Sequence, residues 1–194
     1  MSILLDAGPS LNFLAVGQEN ILIQVAASRG LQLAAPAKVD REIIGMCKDP
    51  RFSRTAASGT WDKLKSAHRV IVLDDEVVED AFTAAVTRIS GKPAEERKRD
   101  PRSLGEIMVL AHASVRVQQG QTVFVLMDER DGRRRAGLED DWLVRCEAPG
   151  KLVLWNTRQV LRDAATKPDM IKGGLAWETV YKQMTKFDDG LPRL

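Results

Sequence analysis

Five short apolar runs, the first four separated by longer stretches with apolar residues three and four apart, constrain this chain more than any other feature. The runs cover 3–5, 31–34, 70–73, 123–127 and 152–155, and the intervening periodic stretches cover 11–27, 38–46, 60–68, 76–89 and 104–117. Strand-length runs alternating with the helical period are the pattern of a layered α/β domain, because parallel strands need crossovers and helices supply them. The expected fold is therefore a three-layer α/β/α domain with a mostly parallel central sheet of about five strands. Two polar stretches, CKDPRFSRTAASGT and GKPAEERKRDPRS, read as loops or connectors, and no internal repeat or low-complexity tract interrupts the pattern.

At 194 residues, 44% of them hydrophobic, the chain is long enough to bury a full core as one domain without disulfide staples. The formal net charge is only +2, from 29 basic and 27 acidic residues, so recognition of a polyanion has to be local. Cys47 and Cys146 are far apart and form no metal-type pair, which fits a reducing compartment. A strand starting within a few residues of Met1 leaves no room for a signal segment, and no apolar run approaches the roughly 20 residues of a membrane span. A cytoplasmic protein with no membrane partner is expected.

Four acids lie at the ends or edges of apolar segments: Asp6 in ILLDAGPSLNFL, Glu42 in VDREI, Glu106 in SLGEIMVLA and Asp128 in VFVLMDERDGRRRA. An open parallel sheet gathers the carboxyl ends of its strands at one edge, so acids distant in sequence can converge there. Converging carboxylates repel one another unless a hard cation sits among them, which points to Mg²⁺ or Mn²⁺ and to phosphate-ester chemistry. Each acid also has a plainer reading. Ser103 and Glu106 have capping-box spacing, and Asp6 before Gly8 and Pro9 can be the N-cap of a first helix. Glu42 can be a solvated helix glutamate, and Asp131 is either a fifth acid or a turn former beside Gly132. Asp128 has the most functional position, directly after five apolar strand residues. The arginines at 130, 133, 134 and 135 either bind backbone phosphates or form a solvated helix face. Few aromatics (5%) argue against an extended base-stacking platform.

In order and context, the stretches LLDAGPSLNFL, APAKVDREI, SLGEIMVLAHA and VLMDERDGRRRA resemble the PIN-domain family of metal-dependent ribonucleases, including the VapC-type toxins of toxin–antitoxin pairs. LVLWNT, ending at Thr157, resembles that family's closing strand. The resemblance implies a PIN-like nuclease domain over 1–157 and a helical extension over 158–194, packed on the same domain or at an interface. It implies catalytic roles for Asp6, Glu42, Glu106 and Asp128, and metal binding by Asp6, Glu106, Asp128 and Asp131, with the choice among Asp128, Glu129 and Asp131 open. Ser10, Asn12, Arg130, Arg133 and Arg134 would bind substrate or the metal's water shell. Mg²⁺ or Mn²⁺ would be the cofactor, RNA the substrate and an antitoxin protein a partner.

The remaining features have plainer readings. His68 and His112 lack any partner that would make a metal pair or a triad, and Trp61, Trp142, Trp155 and Trp177 read as core or interface anchors. The amphipathic segment GLAWETVYKQMTKF packs on the domain or forms a homodimer or antitoxin surface. An aspartyl-nucleophile phosphatase would need an acid two residues after Asp6, where Gly8 stands. The alternative that remains is a non-catalytic PIN-like binding or scaffold protein whose acids serve as caps.

Overall fold

The computed structural model describes residues 1–76, 79–188, 190–192 and 194. In chain order the elements are β1 (Ser2–Leu5), α1 (Ala7–Ala15), α2 (Glu19–Ser28), β2 (Gln32–Pro36), α3 (Ala37–Met46), α4 (Ala57–Ser66), β3 (Val70–Leu73) and α5 (Asp80–Ser90). They continue with α6 (Ala94–Arg99), α7 (Leu104–Gln118), β4 (Thr122–Leu126), α8 (Arg130–Arg145), β5 (Lys151–Trp155), α9 (Thr157–Ala165) and α10 (Trp177–Met184). The five strands form one sheet in the order β3-β2-β1-β4-β5, and every pairing is parallel.

Side chains of a strand alternate between faces, so a strand buried at every position must be covered on both sides. All four residues of β1 are buried, as are the last four of β2, whereas the edge strands β3 and β5 are only partly covered. Helices on both faces make this a three-layer α/β/α domain. Helix α7, buried along almost its whole length, lies across the sheet against β1, β2, β4 and β5, while α2 packs on β2 and on α9. The main core joins Leu4, Leu5, Phe13, Ile21, Ile43, Trp61, Val125 and Leu126, and a second cluster ties Phe82 and Val86 of α5 to Ile107, Met108 and Ala111 of α7. Val180, Tyr181, Met184 and Leu191 belong to the main core, so the C-terminal segment packs on the domain itself. Among the described residues no helix is long and apolar enough to cross a membrane.

Several local expectations are corrected. The helix expected over 11–27 is two helices, broken where Gly17 takes a left-handed φ of 68° that ordinary L residues avoid. Both stretches read as connectors contain helix: α4 begins at Ala57, and α6 occupies 94–99 behind Pro93, whose fixed φ suits a helix start. The helix expected over 76–89 is helical from Asp80, and its positions 77 and 78 lie outside the described residues. The arginine-rich turn is in fact the first turn of α8, which places Asp131 in a helix. Thr157 opens α9, where Asn156 and Gln159 form the capping box that Ser103 and Glu106 do not. His112 Nε2 lies 3.0 Å from Oδ1 of Asp75, both buried, a pair that makes neither a metal set nor a triad among the described residues.

The turn into β5 depends on one missing side chain. A Cβ at Gly150 would lie 2.3 Å from the Gln121 carbonyl oxygen and 2.5 Å from that of Val117, both main-chain atoms that cannot swing aside. Gly150→Ala is therefore expected to lower unfolding free energy by about 1–3 kcal/mol, the usual range for overpacking, as read by urea denaturation.

Candidate active site at the sheet switch point

From β1 the chain builds outward through β2 and β3, then returns to the other side of β1 to add β4 and β5. The order of strand addition reverses between β1 and β4, and outside their carboxyl ends an open α/β sheet forms its ligand crevice. Asp6 follows β1 directly and its N–H donates to the Leu126 carbonyl at the end of β4 (3.2 Å), while Asp128 lies two residues beyond that strand. Helix α3 starts at the end of β2 and brings Glu42; α7 brings Glu106. A cleft of about 660 Å³ results, lined by Asp6, Glu42, Glu106 and Asp128 together with Glu129, Asp188, Arg130 and Ser103. Among the described residues no three Asp, Glu, His or Cys side chains make a closed ligand set; the acids stand around the walls of an open cleft.

The capping explanations fail for two of these acids. Asp6 has the extended backbone of an N-cap (φ −90°, ψ 162°), yet its side chain forms no cap hydrogen bond. Burial pushes its carboxyl up to about 7, the Ala7 amide opposes that, and Glu42, Asp128 and Glu129 add repulsion. At the start of α7, Ser103 adopts a left-handed φ of 50° and caps nothing, so Glu106 is released from the reciprocal bond its spacing suggested. Glu106 is 6% exposed, and its Oε2 has no hydrogen-bond partner. Burial, then hydrogen bonding and like charge from Glu129, then the charge of Asp6 raise its carboxyl to about 8.

Glu42 is half-buried, with its carboxyl raised by burial and restrained by Lys38, 3.5 Å away one turn earlier. Glycine at position 105 makes room for it, since a Cβ there would stand 2.3 Å from Glu42 Oε2. Asp128 is held firmly: Thr157 donates to it from both the main-chain N–H (2.8 Å) and Oγ1 (2.5 Å). Burial raises its carboxyl against those two bonds. It thus lines the cleft and braces the start of α9 at the same time.

Other expected site residues are engaged elsewhere. Asp131 is exposed, does not line the cleft and stands 3.7 Å from Nε of Arg134 on the outer face of α8. Arg133 donates to the carbonyls of Met127 (3.0 Å) and Trp155 (3.1 Å), tying together the ends of β4 and β5, and Arg135 donates to the Ile89 carbonyl. Of the four arginines only Arg130 lines the cleft. Ser10 returns its hydroxyl to the Asp6 carbonyl (2.6 Å), and the buried Asn12 donates to Asp188 (2.8 Å).

Two lining acids were not among the expected site residues. Glu129 was visible as the neighbour of Asp128, with nothing to rank it above Asp131. Asp188 follows α10 in a stretch without any recognisable motif, and only the packing of that helix brings it to the cleft. The fold and cleft together define an all-parallel α/β domain with an acid-walled crevice at its switch point. Comparison with family models, curated proteins and solved structures finds no match to this chain.

Raised carboxyls make stability depend on pH. Between the ordinary carboxylate range and about 8, the native state holds protons on Asp6 and Glu106 that the unfolded state has released, so stability falls as pH rises through that window. Without divalent ions, Asp6→Asn is expected to raise the thermal midpoint by a few degrees at pH 8, with the gain shrinking toward pH 4, measured by circular dichroism across that range.

Proposed function

We propose that this protein is a divalent-metal-dependent ribonuclease of the PIN type that hydrolyses RNA phosphodiester bonds with Mg²⁺ or Mn²⁺. The observation carrying this reading is Glu106, a carboxylate more than nine-tenths buried, with one oxygen unpartnered, in a cleft walled by other acids. A buried acid among like charges has to be neutralised: a proton does this for Glu106, whose carboxyl is raised to about 8 beside Glu129, and a divalent cation would take that proton's place. The donor set is entirely oxygen, which suits a hard divalent cation and not a soft one.

Asp6, Glu106 and Glu129 would hold the ion, with Asp128 beside them. When bound, such an ion supplies an activated water and neutralises charge developing on the phosphate. The protein's own groups prepare that chemistry. Thr157 fixes the orientation of Asp128, and Gly105 allows α7 to approach Glu42 closely. Gly132 does the same for Glu106, since a Cβ there would stand 3.0 Å from Glu106 Oε2. Arg130 at the rim is placed to meet a backbone phosphate, and Lys38 moderates Glu42.

A non-catalytic scaffold with capping acids fits less well, because neither Asp6 nor Glu106 forms its cap. Toxin activity, an antitoxin partner, a homodimer and a cytoplasmic location belong to the same proposal and rest on the resemblance of the motifs.

Purified protein should cleave a pool of single-stranded and structured RNAs with Mg²⁺ or Mn²⁺ and stop when EDTA is added. Asp6→Asn and Glu106→Gln should each lower the rate by about a thousandfold, the worth of several kcal/mol of metal-borne stabilisation. Folded wild-type protein that shows no metal-dependent cleavage of the pool would sink the reading.

A further inference from the structure

The stretch after α10 reaches the cleft, although nothing in its sequence announces a site. Asp188 and Gly190 line the same cleft as Asp6, Glu106 and Asp128. The segment is anchored on both sides. The Phe187 ring stacks on Phe52 with centroids 5.7 Å apart, Leu191 is buried, and the Tyr181 hydroxyl donates to the Pro192 carbonyl at 2.7 Å. Asp188 is therefore presented to the cleft by a fixed support.

The carboxylate is held by neutral donors. Asn12 Nδ2 donates to its Oδ2 at 2.8 Å, and the Gly190 N–H donates to its Oδ1 at 2.9 Å. Each oxygen accepts one bond and retains a free lone pair, while no Lys or Arg among the described residues forms an ion pair with it. Asn12 is 1% exposed, and it keeps this bond although its own Oδ1 is left buried without a partner. An amide buried at that expense orients an acid more strictly than a surface turn requires. Asp188 and Asp128 both line this cleft, so the two face a common space. The independent sign that this space takes a cation is again Glu106 Oε2, buried and unpartnered in the same cleft.

We infer that Asp188 is a cation-facing carboxylate of this cleft, delivered by the C-terminal segment, with Asn12 as its positioning residue. This rests on the metal-dependent reading above and extends it: the site is completed by the segment that follows α10, outside the stretches that resemble a nuclease. Asn12 then serves the metal through Asp188, and not the substrate.

Mn²⁺ titration by calorimetry, without RNA, tests this on four proteins: wild type, Asp188→Asn, Asn12→Ala and Asp6→Asn. Asp188→Asn keeps the size of the side chain and one oxygen for the Asn12 bond, and removes the charge together with the oxygen that accepts from Gly190. It should weaken Mn²⁺ binding about 10- to 100-fold with the thermal midpoint preserved, and Asn12→Ala should weaken it in the same direction by less. Asp6→Asn should abolish the saturable site. Unchanged affinity in Asp188→Asn, alongside loss in Asp6→Asn, would overturn the role of Asp188 and leave the ribonuclease reading standing. No saturable site in the wild type would overturn both. Should Asn12→Ala fail to fold, the Asp188→Asn comparison decides alone.

Discussion

Parallel pairing of β1 with β4 holds this molecule's chemistry together as well as its fold. Ser2–Leu5 aligns residue by residue with 123–126, and the Asp6 N–H continues the ladder to the Leu126 carbonyl. That register sets the carboxyl ends of two strands, more than a hundred residues apart in sequence, side by side at the middle of the sheet. β1 is buried throughout and β4 at Val123, Val125 and Leu126, so a slip in register would break the fit of apolar side chains packed on both faces. The position of the cleft is thus as strongly specified as the core. Arg133 and Thr157 reinforce it, the first by joining the ends of β4 and β5, the second by clamping Asp128.

The cleft sits on this frame as a concentration of unfavourable charge. Burial and mutual repulsion raise Asp6 and Glu106 into the neutral pH range, and their plausible local partners are absent: the Asp6 side chain caps no helix, and the Ser103 side chain does not cap the helix that Glu106 enters. A fold optimised for stability alone would place amides or apolar groups there. Nearby polar residues show how ordinary satisfaction looks in the same protein. Asp40 accepts from the Trp61 indole and from Lys65, and Glu139 is paired with Arg88. Contrast with these paired acids makes the unpaired Glu106 oxygen informative.

Legibility in the sequence followed the range of the interaction involved. Strand positions and helix periods were readable because burial on one or two faces writes a period of two or about 3.6 into local sequence. Helices α8 and α9 were missed because their polar, charged faces outweigh a narrow buried stripe, as in RDGRRRAGLEDDW, where Gly132, Ala136, Glu139 and Leu143 are the buried positions. The convergence of Asp6, Glu42, Glu106 and Asp128 was foreseeable from strand-end placement. The separation of Asp131 from them was not, since Asp128 precedes α8 whereas Asp131 lies in its first turn, exposed beside Arg134. The arginines misled for a similar reason: a run of like charges reads as one surface, yet Arg130 meets the cleft while Arg133 and Arg135 satisfy main-chain carbonyls.

By itself the sequence determined the layered α/β class, the number of strands and the carboxylate-rich edge, because alternation, helix period and strand-end acids are properties of adjacent residues. Tertiary structure alone decided the strand order, the failure of the capping box at Ser103 and the arrival of Asp188 beside Asp128. Those outcomes depend on which distant surfaces bury one another. The left-handed turn at Ser103 and the seat of Phe187 on Phe52 are fixed by packing between segments that carry no record of each other in their local composition.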